Sequence, residues 1–325
     1  MHLLTEPEIR SLISPSEALE AAREAFAKFG RGEVVLPEVM FLDIKEHEGE
    51  VHGKGAFIQG SPYFCIKVAS GFYRNPDRGL PVSSGAVWVF DATTGFLDSI
   101  LFDNGYLTEL RTGAAGALAT DLLARRDVRQ LGIIGCGAQA RYQLESHLGV
   151  RKVERVLVFC PTRTHAALFA DEMSSAHGVT VEFADGPEEA VRGSDVVVTT
   201  TPSHTPVVMD GWVEPGTHLT AIGSDVPDKQ ELDERILGRA KVVADSLRQC
   251  LTQGEIHHAV EAGMIEAESV YGELGEIAAG IKPGRTDDAE ITVADLTGVG
   301  VLDAAVSRVV VDKAEREGVG RAFET

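Results

Sequence analysis

A chain of 325 residues exceeds what one compact core usually fills, so two domains are expected. Hydrophobic residues make up 44% and charged residues 25%, as in an ordinary globular protein, and no apolar run reaches the ~20 residues of a membrane span. A formal charge of -20 repels phosphate backbones and anionic lipid, which argues against nucleic acid and membrane as partners. The opening MHLLTEPEIR lacks the basic-then-apolar pattern of a signal peptide. Cys65, Cys136, Cys160 and Cys250 are widely spaced, without a CxxC pair or a zinc-type spacing with histidine. Free, buried thiols in a reducing cytoplasm and no metal are the expectation.

Residues 1–30 read as helical. Thr5-x-x-Glu8 and Ser14-x-x-Glu17 have the form of capping boxes, Pro15 suits a first turn, and Leu19, Ala22, Phe26 and Phe29 recur at helical spacing before Gly30. From about 38 to 103, the apolar runs YFCIKVAS (63–70), SGAVWVFD (84–91) and FLDSILFD (96–103) alternate with turn clusters such as NPDRG and DATTG, the pattern of an antiparallel sheet. LRTGAAGALATDLLARRD (110–127) reads as one helix with small residues on one face. From 130 the rhythm becomes strand, helix, strand. The runs LGIIG, RVLVF, VTVEF, DVVVTT, HLTAIG and KVVAD are mostly separated by helical stretches such as ARYQLESHL and HAALFADEMSSA. This alternation predicts an α/β fold with a Rossmann-type doubly wound parallel sheet. LDAAVSRVVVDKAEREG (302–318) is a final helix.

Within LGIIGCGAQA (131–140) a strand runs into G-x-G-x-x-A. Gly135 permits a tight turn, Gly137 lets the backbone approach a pyrophosphate, and Ala140 lets the next helix pack on the sheet. The helix N-terminus then offers free N–H groups and a positive dipole end. The motif alone is weak; between a strand and a helix it predicts dinucleotide binding. The second strand of such a fold usually ends in an acid for the adenosine ribose, and RVLVFCPTRTHA (155–166) offers none. Thr162 and Arg163 could hold a 2′-phosphate, which tilts the expectation from NAD toward NADP, or be plain surface-loop residues. Thr200 and Thr201, at the end of the fourth strand, lie where such folds hold their ligand, or are ordinary strand residues.

Lys67 interrupts an apolar strand, which is costly unless the lysine is paired or faces a cavity; the alternative is a strand with one wet face. Arg111 could hold a carboxylate bidentately or lie on a helix surface. In AIGSDVPDKQELD (221–233) an apolar run ends at Gly223 and charged groups follow. Asp225 and Lys229 are candidates there, Pro227 stiffens the turn, and Asp228, Glu231 and Asp233 read as solvated residues or as the cap of the next helix.

LRTGAAGA, GCGAQ and GSDVPDKQELD, in this order and spacing, make the chain similar to the ornithine cyclodeaminase/μ-crystallin family, and the resemblance runs from LTEPEI to DLTGVGVLD (295–303). NGYLTELRT (104–112) and GEIHHAVEAG (254–263) further resemble the branch linked to ectoine degradation. The resemblance implies a dinucleotide-binding domain at 119–301 and an α+β substrate-binding and dimerisation domain formed by 1–118 with 302–325. It implies a homodimeric enzyme that uses NAD or NADP to oxidise or reduce the Cα–N bond of a small amino acid or its imine. Two alternatives within the same resemblance are a redox-neutral cyclodeaminase releasing ammonia and a crystallin-type protein that binds NAD(P)H and a small ligand without turnover. Residue by residue, it implies Lys67 near the substrate carboxylate and the reacting nitrogen, Arg111 on that carboxylate, and Asp225 handling the amine proton or an attacking water. Glu50 would meet a side-chain ammonium. It implies Gly135, Gly137 and Gln139 at the pyrophosphate turn and Lys229 near the cofactor; with Ala138, Thr162, Arg163, Thr200, Thr201, Gly223 and Thr297 these make up the expected cofactor set. The cyclodeaminases carry a further arginine in the early strands; here none occurs between Arg31 and Arg74, which argues against ornithine as substrate.

Overall fold

The computed structural model describes residues 1–324 and divides into two compact units, Met1–Arg111 with the segment from Val299 onward, and Thr112–Gly298. The first unit begins with β1 (His2–Thr5), α1 (Glu6–Leu12), α2 (Pro15–Gly30), β2 (Val34–Val35), β3 (Met40–Ile44), β4 (Gly49–Ile58), β5 (Tyr63–Phe72), β6 (Ser83–Asp91) and β7 (Leu97–Phe102). The opening residues are a strand, not a helix, because β1 pairs in parallel with β7. Both capping boxes form, with the Thr5 N–H donating to Glu8 at 2.8 Å and the Ser14 N–H to Glu17 at 3.0 Å. The division between units falls within α3 (Tyr106–Leu123).

The second unit continues with β8 (Gln130–Ile134), α4 (Ala138–Leu148), β9 (Arg155–Phe159), α5 (Arg163–His177), β10 (Thr180–Phe183), α6 (Pro187–Val191), β11 (Val196–Thr199), β12 (His204–Val208), β13 (His218–Ala221), β14 (Gln230–Leu232), α7 (Glu234–Leu237), β15 (Lys241–Ala244), α8 (Leu247–Cys250), α9 (Gly254–Glu261), β16 (Gly272–Glu273), α10 (Leu274–Ala278) and β17 (Thr292–Asp295). Its main sheet has the order β10-β9-β8-β11-β13-β17-β15-β16, with every pairing parallel. This is the Rossmann-type sheet, and its topological switch lies between β8 and β11, where such folds hold a ligand beyond the carboxyl ends. β17 was not marked as a strand by the sequence pattern; its four residues, all buried, insert between β13 and β15. The core on which these strands close includes Ile134, Leu157, Val197, Leu219, Val242 and Val293.

The chain returns to the first unit as α11 (Gly300–Glu317) and β18 (Arg321–Ala322). The sheet there has the order β18-β1-β7-β6-β5-β4-β2, with β3 also pairing β4. Cys65, Lys67, Val87, Val89 and Leu101 point to the buried face, against which α11 packs. On the opposite face, Ile66 pairs with Trp88 and Trp88 with Ile100, and Phe64 stacks on Phe90 at 4.9 Å. Ile66 is 45% and Phe102 46% exposed, so this outer face is apolar and open. No helix among the described residues is long and apolar enough to cross a membrane.

Candidate active site

Lys67 sits on the buried face of β5 and is only 2% exposed, while its neighbour Ile66 faces out. Polarity alone would have placed these two the other way round. The lysine is tolerated inside because its Nζ lies 3.1 Å from Asp303 Oδ1, on the first turn of α11. Arg111 donates its Nε to the same oxygen at 3.2 Å and is also buried. Lys54 stands directly across from Lys67 on β4 and is buried as well. Burial pushes Lys67 down from the usual lysine range, and Asp303 pulls it back up. Burial pushes Asp303 up, but Lys67, Arg111 and Lys54 outweigh it and hold its carboxyl below the usual range. Asp103, just after β7, accepts the Leu107 N–H on Oδ2 at 2.8 Å, and burial raises its carboxyl. Three buried cations thus face one ionised carboxylate, and a second carboxylate biased toward its neutral form. Arg111 engages Asp303 through Nε alone, and its Nη edge meets no protein acceptor among the described residues. Such an edge suits a substrate carboxylate. Glu50 also lies in this unit and accepts the Tyr73 hydroxyl at 2.8 Å. A surface groove lined by Glu20, Glu24 and Arg308 holds none of the candidates.

In the second unit, Gly135 has φ +111°, and a Cβ there would lie 2.5 Å from Thr200 Oγ1 and 2.9 Å from its carbonyl oxygen, so only glycine fits. Gly137 differs: its φ of -78° suits any residue, and a Cβ would meet nothing within 4 Å. Its bareness serves no packing inside the protein and leaves open space at the N-terminus of α4, the place for a pyrophosphate. Ala138 and Gln139 are the first two residues of that helix. Arg141, which the sequence reading missed, donates to the Cys136 and Gly137 carbonyls at 2.9 and 3.0 Å and is itself held by Glu172. It holds those two carbonyls toward itself, while the Gly135 N–H is committed to the Phe159 carbonyl at 2.8 Å. These residues fit a dinucleotide phosphate. At the end of β9 no carboxylate follows; Thr162 stands at the N-cap position of α5 without a side-chain capping bond, and the exposed Arg163 pairs with Asp185 at 2.9 Å and lies over Phe183.

The segment after β13 divides differently from expectation. Asp225 pairs with Lys229 at 2.8 Å; the lysine is almost buried and the aspartate a third exposed. Lys229 is fixed by its backbone, whose carbonyl accepts His258 Nε2 at 2.8 Å and also the Ser224 hydroxyl. Asp228 is solvated and Asp233 caps α7, as expected. Glu231, read as solvated or capping, is fully buried instead. It accepts from Thr199 Oγ1 (2.7 Å), Thr201 Oγ1 (2.8 Å) and the Gly223 N–H (2.7 Å), tying the ends of β11 and β13 together. Thr201 and Gly223 therefore hold this brace, and a Cβ at Gly223 would lie 2.7 Å from both Thr201 N and Glu231 Cδ. Thr200 donates to the Ile134 carbonyl at 3.2 Å, and Thr297 to Asp245 at 3.0 Å. Asp245, Glu255 and Asp295 are further buried acids of this unit, each raised chiefly by burial, Asp295 to about 7.

Cys136 and Cys160 form a disulfide, with Cα atoms 5.9 Å apart, which overturns the expectation of four free thiols. The Gly135 turn lifts Cys136 beside the end of the adjacent strand β9, so the pair meets across the sheet. Cys65 and Cys250 are free and buried, and burial raises both thiols.

Residues 1–318 match the ornithine cyclodeaminase/mu-crystallin family. The chain is 40% identical over 318 residues to an alanine dehydrogenase of Archaeoglobus fulgidus, covering 98% of this chain and 96% of that one. Among solved structures it is similar to an archaeal alanine dehydrogenase dimer with bound NAD (TM-score 0.93, 39% identity, 100% and 99% coverage). It is also similar to the Thermococcus litoralis Δ1-pyrroline-2-carboxylate reductase in complex with NADH and L-proline (TM-score 0.95, 33% identity, 99% and 100% coverage). With a whole-length match and relatives at this identity, the chain belongs to the ornithine cyclodeaminase/mu-crystallin family.

Proposed function

We propose that this protein is an NAD(P)-dependent oxidoreductase acting on the Cα–N bond of a small amino acid or its imine. The buried Lys67–Asp303–Arg111 cluster carries the reading: it offers an α-carboxylate the Nη edge of Arg111 beside a second cation. Fixing the carboxylate supplies orientation rather than chemistry. A bound nicotinamide supplies or accepts the hydride. Asp225 takes a proton from the substrate ammonium in the oxidative direction and stabilises the protonated imine in the reductive one. The ion pair with Lys229 keeps its carboxylate in place while a third of it stays accessible. Gly135, Gly137, Ala138 and Gln139 hold the pyrophosphate. We further infer that NADP is preferred over NAD, because the exposed Arg163–Asp185 pair is weakly held and a 2′-phosphate competes for the guanidinium. The open apolar face of the first unit's sheet supports a homodimer formed through it. The ectoine-branch likeness of NGYLTELRT makes an ectoine-derived amino acid a substrate to try early.

The test follows absorbance at 340 nm with each reduced cofactor, offered pyruvate plus ammonia and cyclic or open-chain imino acids, and separately with amino acids plus oxidised cofactor. Stoichiometric cofactor consumption is expected. Asp225→Asn should lower turnover by ~10²–10⁴-fold with dinucleotide binding intact. Ammonia release without net cofactor change would sink the redox reading in favour of the cyclodeaminase one.

A further inference from the structure

We propose that Asp303 is a positioning residue for substrate recognition: its one buried carboxylate holds the Lys67 ammonium and the Nε of Arg111, so that the Nη edge of Arg111 is left to grip the substrate carboxylate. The proposal rests on the reaction class inferred above. Asp303 Oδ1 is shared between Lys67 at 3.1 Å and Arg111 at 3.2 Å, and the aspartate side chain is completely buried. Its placement is rigid. α11 begins at Gly300, where a Cβ would lie 2.6 Å from the Gly55 carbonyl oxygen of β4, so backbone contact seats the helix turn that carries Asp303. The groups facing Lys67 are Asp303 from α11, Arg111 from α3, Asp103 after β7, Lys54 from β4, and Cys65 on its own strand. Asp103 makes no ion pair with Lys67 among the described residues: its Oδ2 accepts the Leu107 N–H and burial raises its carboxyl. Without Asp303, burial and the neighbouring guanidinium both disfavour a charged Lys67.

The isosteric Asp303→Asn variant tests this. A merely structural residue would lower all activities alike at every pH. The positioning role instead predicts a KM for the amino or imino acid raised at least tenfold, dinucleotide affinity within twofold of wild type, and kcat/KM recovering as pH falls from 8.5 to 6, because protons restore the Lys67 charge. Independently of turnover, NMR titration of 13Cε-labelled lysine, assigned with Lys67→Arg, should show Lys67 titrating at least one pH unit lower in Asp303→Asn. An unmoved Lys67, or a loss confined to kcat, overturns the proposal. If the variant does not fold, the wild type still decides: Lys67 found neutral at pH 7 there overturns it, and Lys67 found charged upholds it. Absence of turnover on every amino and imino acid, with the Lys67 shift intact, sinks the reaction class but not the role of Asp303 toward Lys67.

Discussion

Asp295 gives a stability prediction that can be worked from the structure. It ends β17 with no solvent exposure; Oδ2 accepts the Ile256 N–H at 2.9 Å and Oδ1 has no hydrogen-bond partner among the described residues. Burial is the main cause that lifts its carboxyl to about 7, with Asp245 adding repulsion. An unfolded aspartate titrates near 3.9, so between about pH 4 and pH 7 the folded chain binds more protons than the unfolded one. Stability contributed by this group is therefore full below about pH 4, falls as pH rises to about 7, and is then flat. Three pH units at 1.36 kcal/mol each give about 4 kcal/mol as an upper bound, since partial opening of the site relieves some of it. Asp295→Asn keeps an oxygen for the Ile256 N–H and removes the charge. It should match wild type at pH 4 to within about 1 kcal/mol and exceed it at pH 8 by about 2–4 kcal/mol. Urea unfolding followed by circular dichroism at half-unit pH steps measures this. A variant destabilised equally at both pH values would show that Asp295 is not the charge-bearing group and refute the reasoning.

Gly137→Val should leave the melting temperature within about 1 °C, because its Cβ meets open space, yet raise the dinucleotide Kd at least tenfold by isothermal titration; unchanged affinity would remove the pyrophosphate from α4. Reducing the Cys136–Cys160 bridge, which spans 24 residues, should cost about 3 kcal/mol and lower the melting temperature by several degrees; no change between Cys160→Ser and wild type would show that the bond is not formed in solution. Ile66→Asp, on the exposed apolar face, should yield a monomer by light scattering without loss of helix signal; a persisting dimer would place the interface elsewhere.

Much of the fold was readable because periodicity reports burial. RVLVF matches β9 to the residue, and the Ser14 capping box marks the true start of α2. What escaped were features made by distant residues. Lys67 was legible only as an anomaly, since its partner Asp303 belongs to the last helix, and lies 192 residues beyond Arg111. The carboxyl end of DLTGVGVLD carried that partner, but no local pattern distinguishes it from a helix-cap acid. Glu231 looked solvated because its neighbours are polar; its donors come from the end of β11 and from the segments just after β11 and β13. The cysteine pair likewise depends on β8 and β9 being neighbours in the sheet, which spacing along the chain cannot convey.

The inverted pair on β5, lysine inward and isoleucine outward, has a consequence for how the chain folds. A slip of one residue against β4 and β6 would exchange the two, and by simple hydrophobic preference the slipped register is the better one. The native register is thus locally frustrated and is favoured by Asp303, which is synthesised long after β5. A nascent or truncated chain ending before α11 lacks the buried carboxylate that favours the native alignment of Lys67. The C-terminal helix therefore acts as a late proofreader of a sheet laid down at the opposite end of the sequence.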